Sequence, residues 1–180
     1  RDGTVSETKV QPDPRWGMVA PLLKQSTVRL PSGLTRSTTA SRTVSLGDPQ
    51  DPLSLTGQVD TITTNGKSTT VSLERQADGT WRRTVRQPSG RERVEVLDGR
   101  GRVVRLEVPG LVPVEYSYTA QGRLGEIREG GRITRFAYDS LGRLASVTDA
   151  LGREVSYVYD AAGRVVRQGF GDGREVVFRY

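Results

Sequence analysis

Acids and arginines recur four residues apart in the second half of the chain. Asp98 and Arg102, Asp139 and Arg143, and Asp160 and Arg164 bracket glycines at Gly101, Gly142 and Gly163, and Gly122-Arg123 holds the same spacing after Thr119. Such a pair could bind a polar ligand, or it could shape the turn that contains it. Recurrence decides between the two. A catalytic site is needed once, whereas a turn is needed at every chain reversal. The Asp is therefore read as shaping the reversal, and the Arg as opening the next strand and bridging toward a neighbouring turn.

The remaining residue types narrow the chemistry further. Histidine and cysteine are both absent, which removes Ser-His-Asp and Cys-His catalysis, disulfides, thiolate zinc sites and the commonest metal ligand. None of the 21 acids forms a recognisable site. No catalytic residue, cofactor or metal is assigned, and the chain is read as not an enzyme.

Of the 27 basic residues all but Lys9, Lys24 and Lys67 are arginine, and the net charge is +6. Arginine in excess suits phosphate or nucleic-acid recognition. Acids sit beside many of these bases, however, as in Arg91-Glu92, Arg153-Glu154 and Arg174-Glu175. That mixture suits cross-strand pairing and deters edge-to-edge aggregation, so nucleic acid is disfavoured as a partner. No apolar run approaches the roughly 18 residues of a membrane span. The chain opens on Arg1 without a basic-then-apolar leader, which reads as a fragment of a longer protein.

The elements that must position these residues are strands. Val (22 residues) and Thr (18) dominate, both fitting pleated strands, and the Gly and Pro spread along the chain would interrupt long helices. Leu97, Tyr118, Tyr138, Tyr159 and Tyr180 follow one another at steps of 21, 20, 21 and 21 residues. The first four open LDGRGRV, YTAQGRL, YDSLGRL and YDAAGRV. Tyr116, Phe136, Tyr157 and Phe178 stand two residues before each tyrosine, and period two puts both rings on one strand face. The tyrosines are expected to form a ladder, each ring packing on the ring of the next repeat.

Turn signals recur every 9 to 13 residues, at glycines 66, 79, 90, 101, 122, 131, 142, 152, 163 and 173, with Pro109-Gly110 and Pro113 filling the one wide gap. This predicts an all-β antiparallel meander of hairpins with strands of about six to eight residues. Asp-x-x-Gly at 98, 139, 149 and 160 predicts type I turns with a left-handed glycine. Asn65-Gly66, Asp78-Gly79, Gly130-Gly131 and Asp172-Gly173 predict two-residue hairpins. Residues 1–60 read as an irregular segment: a Pro-rich crossing at 11–23, a hairpin over 27–44, and two Asp-Pro turns at 47–55. Residues 61–180 read as a regular array continuing the same sheet.

YDSLGRL and YDAAGRV, repeated in register over 97–180, resemble the YD repeats of Rhs-type proteins: bacterial polymorphic toxins, the shell subunits of insecticidal toxin complexes, and teneurins. The segment PDPRWGM…TVRLPSGLTRSTT…LGDPQDPLSL also resembles bacterial Rhs shell sequences. The resemblance implies a curved, spiralling sheet forming the wall of a hollow shell around a C-terminal toxin or other cargo. It implies as partners the rest of that shell and the enclosed polypeptide, and a secreted or cell-surface location. The structural repeat positions it marks are Asp98, Gly101, Arg102, Tyr118, Gly122, Arg123, Tyr138, Asp139, Gly142, Arg143, Tyr159, Asp160, Gly163 and Arg164. The self-cleaving aspartate motif that ends such shells has no counterpart here. The competing reading is a module binding carbohydrate or a polyanion through its Tyr and Arg rows. Open sheet edges add an expectation of self-association.

Overall fold

The computed structural model describes residues 3–180 and is all-β among them, with fifteen antiparallel strands arranged in chain order. The chain forms two compact units, one of residues 1–103 and 107–109, the other of residues 104–106 and 110–180.

The first unit holds β1 (Val5–Asp13), β2 (Gly17–Arg29), β3 (Thr35–Leu46), β4 (Leu55–Thr64), β5 (Lys67–Arg75), β6 (Trp81–Arg86) and β7 (Glu92–Leu97), each paired with the next. Its strands reach 13 residues in β2, longer than the turn spacing predicts. The Pro-rich stretch 11–23 is not an irregular crossing: it is the end of β1, a tight turn and the start of β2. The prolines fit because pairing there is lax. The β1–β2 register shifts on either side of Val10-Gln11, and β2 pairs with β3 only over Gln25–Arg29. Pro12 and Pro21 therefore sit where a missing N–H costs no ladder bond.

A buried carboxylate ties this hairpin down. Asp13, 4% exposed, accepts the backbone N–H of Arg15 at 2.7 Å and of Trp16 at 3.1 Å, and the Arg42 guanidinium at 3.0 Å. Arg42 in turn donates to both oxygens of Asp60, at 2.6 and 2.9 Å. Burial alone would raise the Asp13 pKa, but the Arg15 N–H, the Arg42 guanidinium and the Trp16 N–H together hold it below its ordinary value. The apolar core is thin. Val94 and Leu97 are the buried apolar side chains among the described residues.

The second unit takes Val104–Leu106 from β8 (Val103–Glu107), then β9 (Val114–Tyr118), β10 (Leu124–Glu129), β11 (Arg132–Tyr138), β12 (Leu144–Thr148), β13 (Glu154–Tyr159), β14 (Val165–Phe170) and β15 (Glu175–Val177). Cross-strand partners Phe136, Val147, Val155 and Phe170 form an apolar row on one face. Ala137, Ser146, Ser156 and Gly169 form a row of small residues on the other.

Most turns follow the expected template, with three differences. At Gly130-Gly131 the first glycine takes the positive φ, 57°. Asp78-Gly79 and Asp172-Gly173 close four-residue turns, because Gly79 N–H donates to Gln76 O and Gly173 N–H to Phe170 O. In both, Asp occupies the third position rather than the first. Asn65-Gly66 is the two-residue hairpin expected, with φ of 47° and 79°.

The repeated turn as candidate functional site

Each Asp-x-x-Gly-Arg turn is organised by its carboxylate. At 139–143 the Gly142 N–H donates to Asp139 O, and the Asp139 N–H donates to Arg143 O, both at 2.9 Å. One Asp139 oxygen accepts the N–H of Leu141 at 3.0 Å and of Arg143 at 2.9 Å, and the other accepts Arg143 Nε–H at 2.7 Å. The turns at Asp98, Asp149 and Asp160 repeat the backbone closure and the Nε–H bond, at 2.8, 2.7 and 2.8 Å. These bonds favour the ionised acid and hold its pKa below the ordinary 3.8. The largest contribution is the Arg backbone N–H at Asp139 and Asp160, and the Arg side chain at Asp98 and Asp149. The glycine takes φ of 80° at both Gly142 and Gly163, where a side chain would be strained.

The return strand carries a bulge directly after the turns at 119–123, 139–143 and 160–164. Tyr118 pairs with Leu124 but Ser117 with Glu126, Tyr138 with Leu144 but Ala137 with Ser146, and Tyr159 with Val165 but Val158 with Arg167. Pairing with the following strand starts only beyond the bulge, at Glu126, Ser146 and Arg167. The carbonyls of Leu124, Leu144 and Val165 thus lie outside that ladder, and a half-buried carbonyl needs a donor. The tyrosine of the next repeat supplies it. Tyr138 OH donates to Leu124 O at 2.9 Å, Tyr159 OH to Leu144 O at 2.8 Å, and Tyr180 OH to Val165 O at 3.0 Å.

The arginine completes the connection. Arg123, Arg143 and Arg164 lie over the rings of Tyr138, Tyr159 and Tyr180, with the guanidinium carbon 5.6, 4.5 and 4.6 Å from the centroid. Arg143 also donates to Asp160 O, the first residue of the next turn, at 3.3 Å. The ladder is therefore not ring upon ring. A planar cation, fixed by its own turn's carboxylate, caps the tyrosine of the following repeat.

The Asp, Arg and Tyr of this connection are residues marked by the repeat, and the structure brings them together as successive links. The acceptor carbonyls escaped the sequence reading, because a backbone oxygen leaves no residue signature and a bulge is not written in the turn motif. Asp13, Arg42 and Asp60 were also missed, lying 29 and 18 residues apart on different strands. The Asp-Pro-Arg-Trp turn was the available signal. Among the described residues no group of three or more Asp and Glu is placed to hold a metal ion, and no helix is long and apolar enough to cross a membrane.

The family model of the RHS Repeat matches residues 118–153 and 138–175. No curated protein matches the chain. Among solved structures, the chain is similar to a Photorhabdus luminescens Tc holotoxin pore with a mutated TccC3 (12% identity, 94% of this chain, 10% of that chain, TM-score 0.47). It is also similar to a TcdB2-TccC3-TEV crystal structure (12% identity, 99% of this chain, 11% of that chain, TM-score 0.47). The chain spans about a tenth of the length of those chains.

Proposed function

We propose, from the premise that the chain carries RHS repeats at residues 118–175, that it is a non-catalytic wall segment of an Rhs/YD-repeat shell. The shell's role is to enclose a C-terminal toxin or other polypeptide cargo. One observation carries this reading: the groups of the repeated turn that could act on a ligand are spent within their own turn and on the neighbouring repeat. The Asp oxygens accept their own turn's N–H groups and Arg Nε, the Arg plane covers the next tyrosine, and the tyrosine hydroxyl donates to the bulge carbonyl. This is nearest-neighbour construction of the kind that extends repeat proteins. The rest of the shell and its cargo are the partners on this reading, and the location is that of a secreted or cell-surface toxin.

The competing reading, a carbohydrate- or polyanion-binding module, has one feature in its favour. A cleft of about 550 Å³ is lined by Val147, Val155 and Phe170 together with Asp149, Arg153, Glu154, Asp172 and Arg174. Its arginines are bonded through Nε to Asp149 and Asp172, at 2.7 and 2.6 Å, so each is already paired with the acid of its own turn.

The test uses the intact protein that carries this segment. Tyr138→Ala with Tyr159→Ala opens two consecutive links, and limited proteolysis should then cut the C-terminal polypeptide faster than in the parent. Equal cleavage rates in the two proteins would sink the wall reading. Saturable glycan or DNA binding by this chain at physiological salt would favour the module.

A further inference from the structure

Among the four turns that open on Asp98, Thr119, Asp139 and Asp160, the one at 119 lacks the acid that organises the others, as does the identically closed turn at 87–91. In the turns at 98, 139, 149 and 160 a single carboxylate gathers three donors: the N–H of the third residue, and the N–H and Nε–H of the Arg at the fifth. At 119–123 the backbone closes identically, with Gly122 N–H on Thr119 O at 2.8 Å and Thr119 N–H on Arg123 O at 2.7 Å. The side chain at 119 is a neutral hydroxyl. It reaches only the Arg123 N–H, at 3.3 Å, against 2.9–3.0 Å for the carboxylates. The N–H of Gln121, at the exposed turn tip, is left to solvent.

Arg123 differs in the same way. Its counterparts Arg143 and Arg164 are clamped by Asp139 and Asp160, while Arg123 has no carboxylate partner among the described residues. Its guanidinium lies about an ångström further from its tyrosine than theirs, 5.6 Å against 4.5 and 4.6 Å. It leans instead across the following turn, where a Cβ added at Gly142 would fall inside the guanidinium group.

We propose that the 119–123 turn is an oxyanion-binding site, accepting from outside the chain a carboxylate or phosphate oxygen in the position that Asp fills in the sister turns. The donors are the Gln121 N–H, the Arg123 N–H and the Arg123 guanidinium, which swings back from Gly142 onto its own turn when the anion binds. A charge-assisted bond to one half-buried arginine sets the dissociation constant on the order of 10–100 mM for a small anion. A larger partner, presenting an acidic side chain at this turn between β9 and β10, would bind more tightly through its other contacts.

The experiment is a titration of the 180-residue chain followed by ¹⁵N NMR of backbone and Arg Nε resonances. Sodium acetate and inorganic phosphate are the probes, with chloride holding ionic strength constant. Saturable shifts are expected at Gln121 N–H, Arg123 N–H and Arg123 Nε–H, accompanied by Gly142 N–H as the guanidinium leaves it. Thr119→Asp, which supplies the acid internally and restores the residue of the sister turns, should abolish the response. Thr119→Ala should keep it. Shifts that never saturate, shifts equal to those of the exposed Arg132, or an undiminished response in Thr119→Asp would each overturn the proposal. Tighter acetate than phosphate assigns the site to an acidic side chain of another polypeptide. The reverse order assigns it to a phosphate-bearing ligand, and either order supports the site.

Discussion

Gly142 and Gly163 are equivalent in sequence and take the same φ of 80°, yet substitution by alanine should cost them differently. In both, alanine enters the left-handed region at about 1–2 kcal/mol, offset equally by the lower unfolded-state entropy of Ala relative to Gly. The surroundings differ: a Cβ at Gly163 meets nothing within 4 Å, whereas at Gly142 it collides with the Arg123 guanidinium. Arg123 can rotate away only by losing its place over Tyr138, a cation–π contact worth about 0.5–1 kcal/mol at a partly exposed site. Gly142→Ala should therefore destabilise its turn by roughly 0.5–1 kcal/mol more than Gly163→Ala does. Repeat arrays often unfold other than in one step, so the readout is native-state hydrogen exchange at the amide that closes each turn, Asp139 N–H or Asp160 N–H. Since about 1.4 kcal/mol is tenfold, Gly142→Ala should speed exchange about two- to fivefold beyond the effect at the sister turn. Adding Arg123→Ala should erase the excess. An excess that persists without Arg123, or no excess at all, would refute the assignment of Arg123 to the space above Gly142.

Two further outcomes follow from the same links. Tyr159→Phe keeps the ring beneath Arg143 but removes the hydroxyl from Leu144 O, and should lower local stability by about 0.5–1.5 kcal/mol, read by native-state hydrogen exchange at Asp160 N–H; unchanged exchange would mean that water replaces the hydroxyl without loss. Asp98, Asp139, Asp149, Asp160 and Asp172 all titrate below 3.8 when folded. Their stabilisation is complete above the unfolded value and disappears as pH falls from there through the folded values. The thermal midpoint should accordingly be flat from about pH 7 down to about pH 5 and then drop, and a midpoint that rises on acidification would contradict the depressed carboxylates.

The hairpin array was legible because its signals are local. A turn declares itself through Asp at the first position and Gly at the fourth, and four residues suffice to carry that information. Where the local signal was ambiguous the reading failed locally: Asp78-Gly79 and Asp172-Gly173 look like two-residue hairpins, but their neighbours Gln76 and Phe170 supply the closing carbonyls. The prolines at 12 and 21 argued against strand because the motif does not show which backbone edges lack a partner. The link between repeats was half legible. Period-two spacing marked the tyrosines as equivalent, and their equivalence suggested that they stack on each other. Ring-on-ring contact was inferred without knowing that a bulge would leave a carbonyl open beside each ring and place an arginine above it.

That bulge explains why the motif needs tyrosine and arginine together. Phenylalanine would satisfy the cation–π contact but leave the Leu144 carbonyl without its donor. Lysine would bring a charge, but a point ammonium cannot bond Asp139 through Nε and lie flat on Tyr159 at once, as the planar guanidinium of Arg143 does. The aspartate is required less by the reversal itself, since Thr119 closes an identical backbone turn, than by the need to aim the arginine. The Thr119 turn shows the effect of its absence: the backbone is unchanged, and the arginine sits about an ångström further from its tyrosine than Arg143 and Arg164 do. YD-x-x-GR is thus a turn at its Asp and Gly and a joint at its Tyr and Arg. In YDSLGRL, the 139–143 pair joins the two roles by holding the cation that one repeat presents to the next.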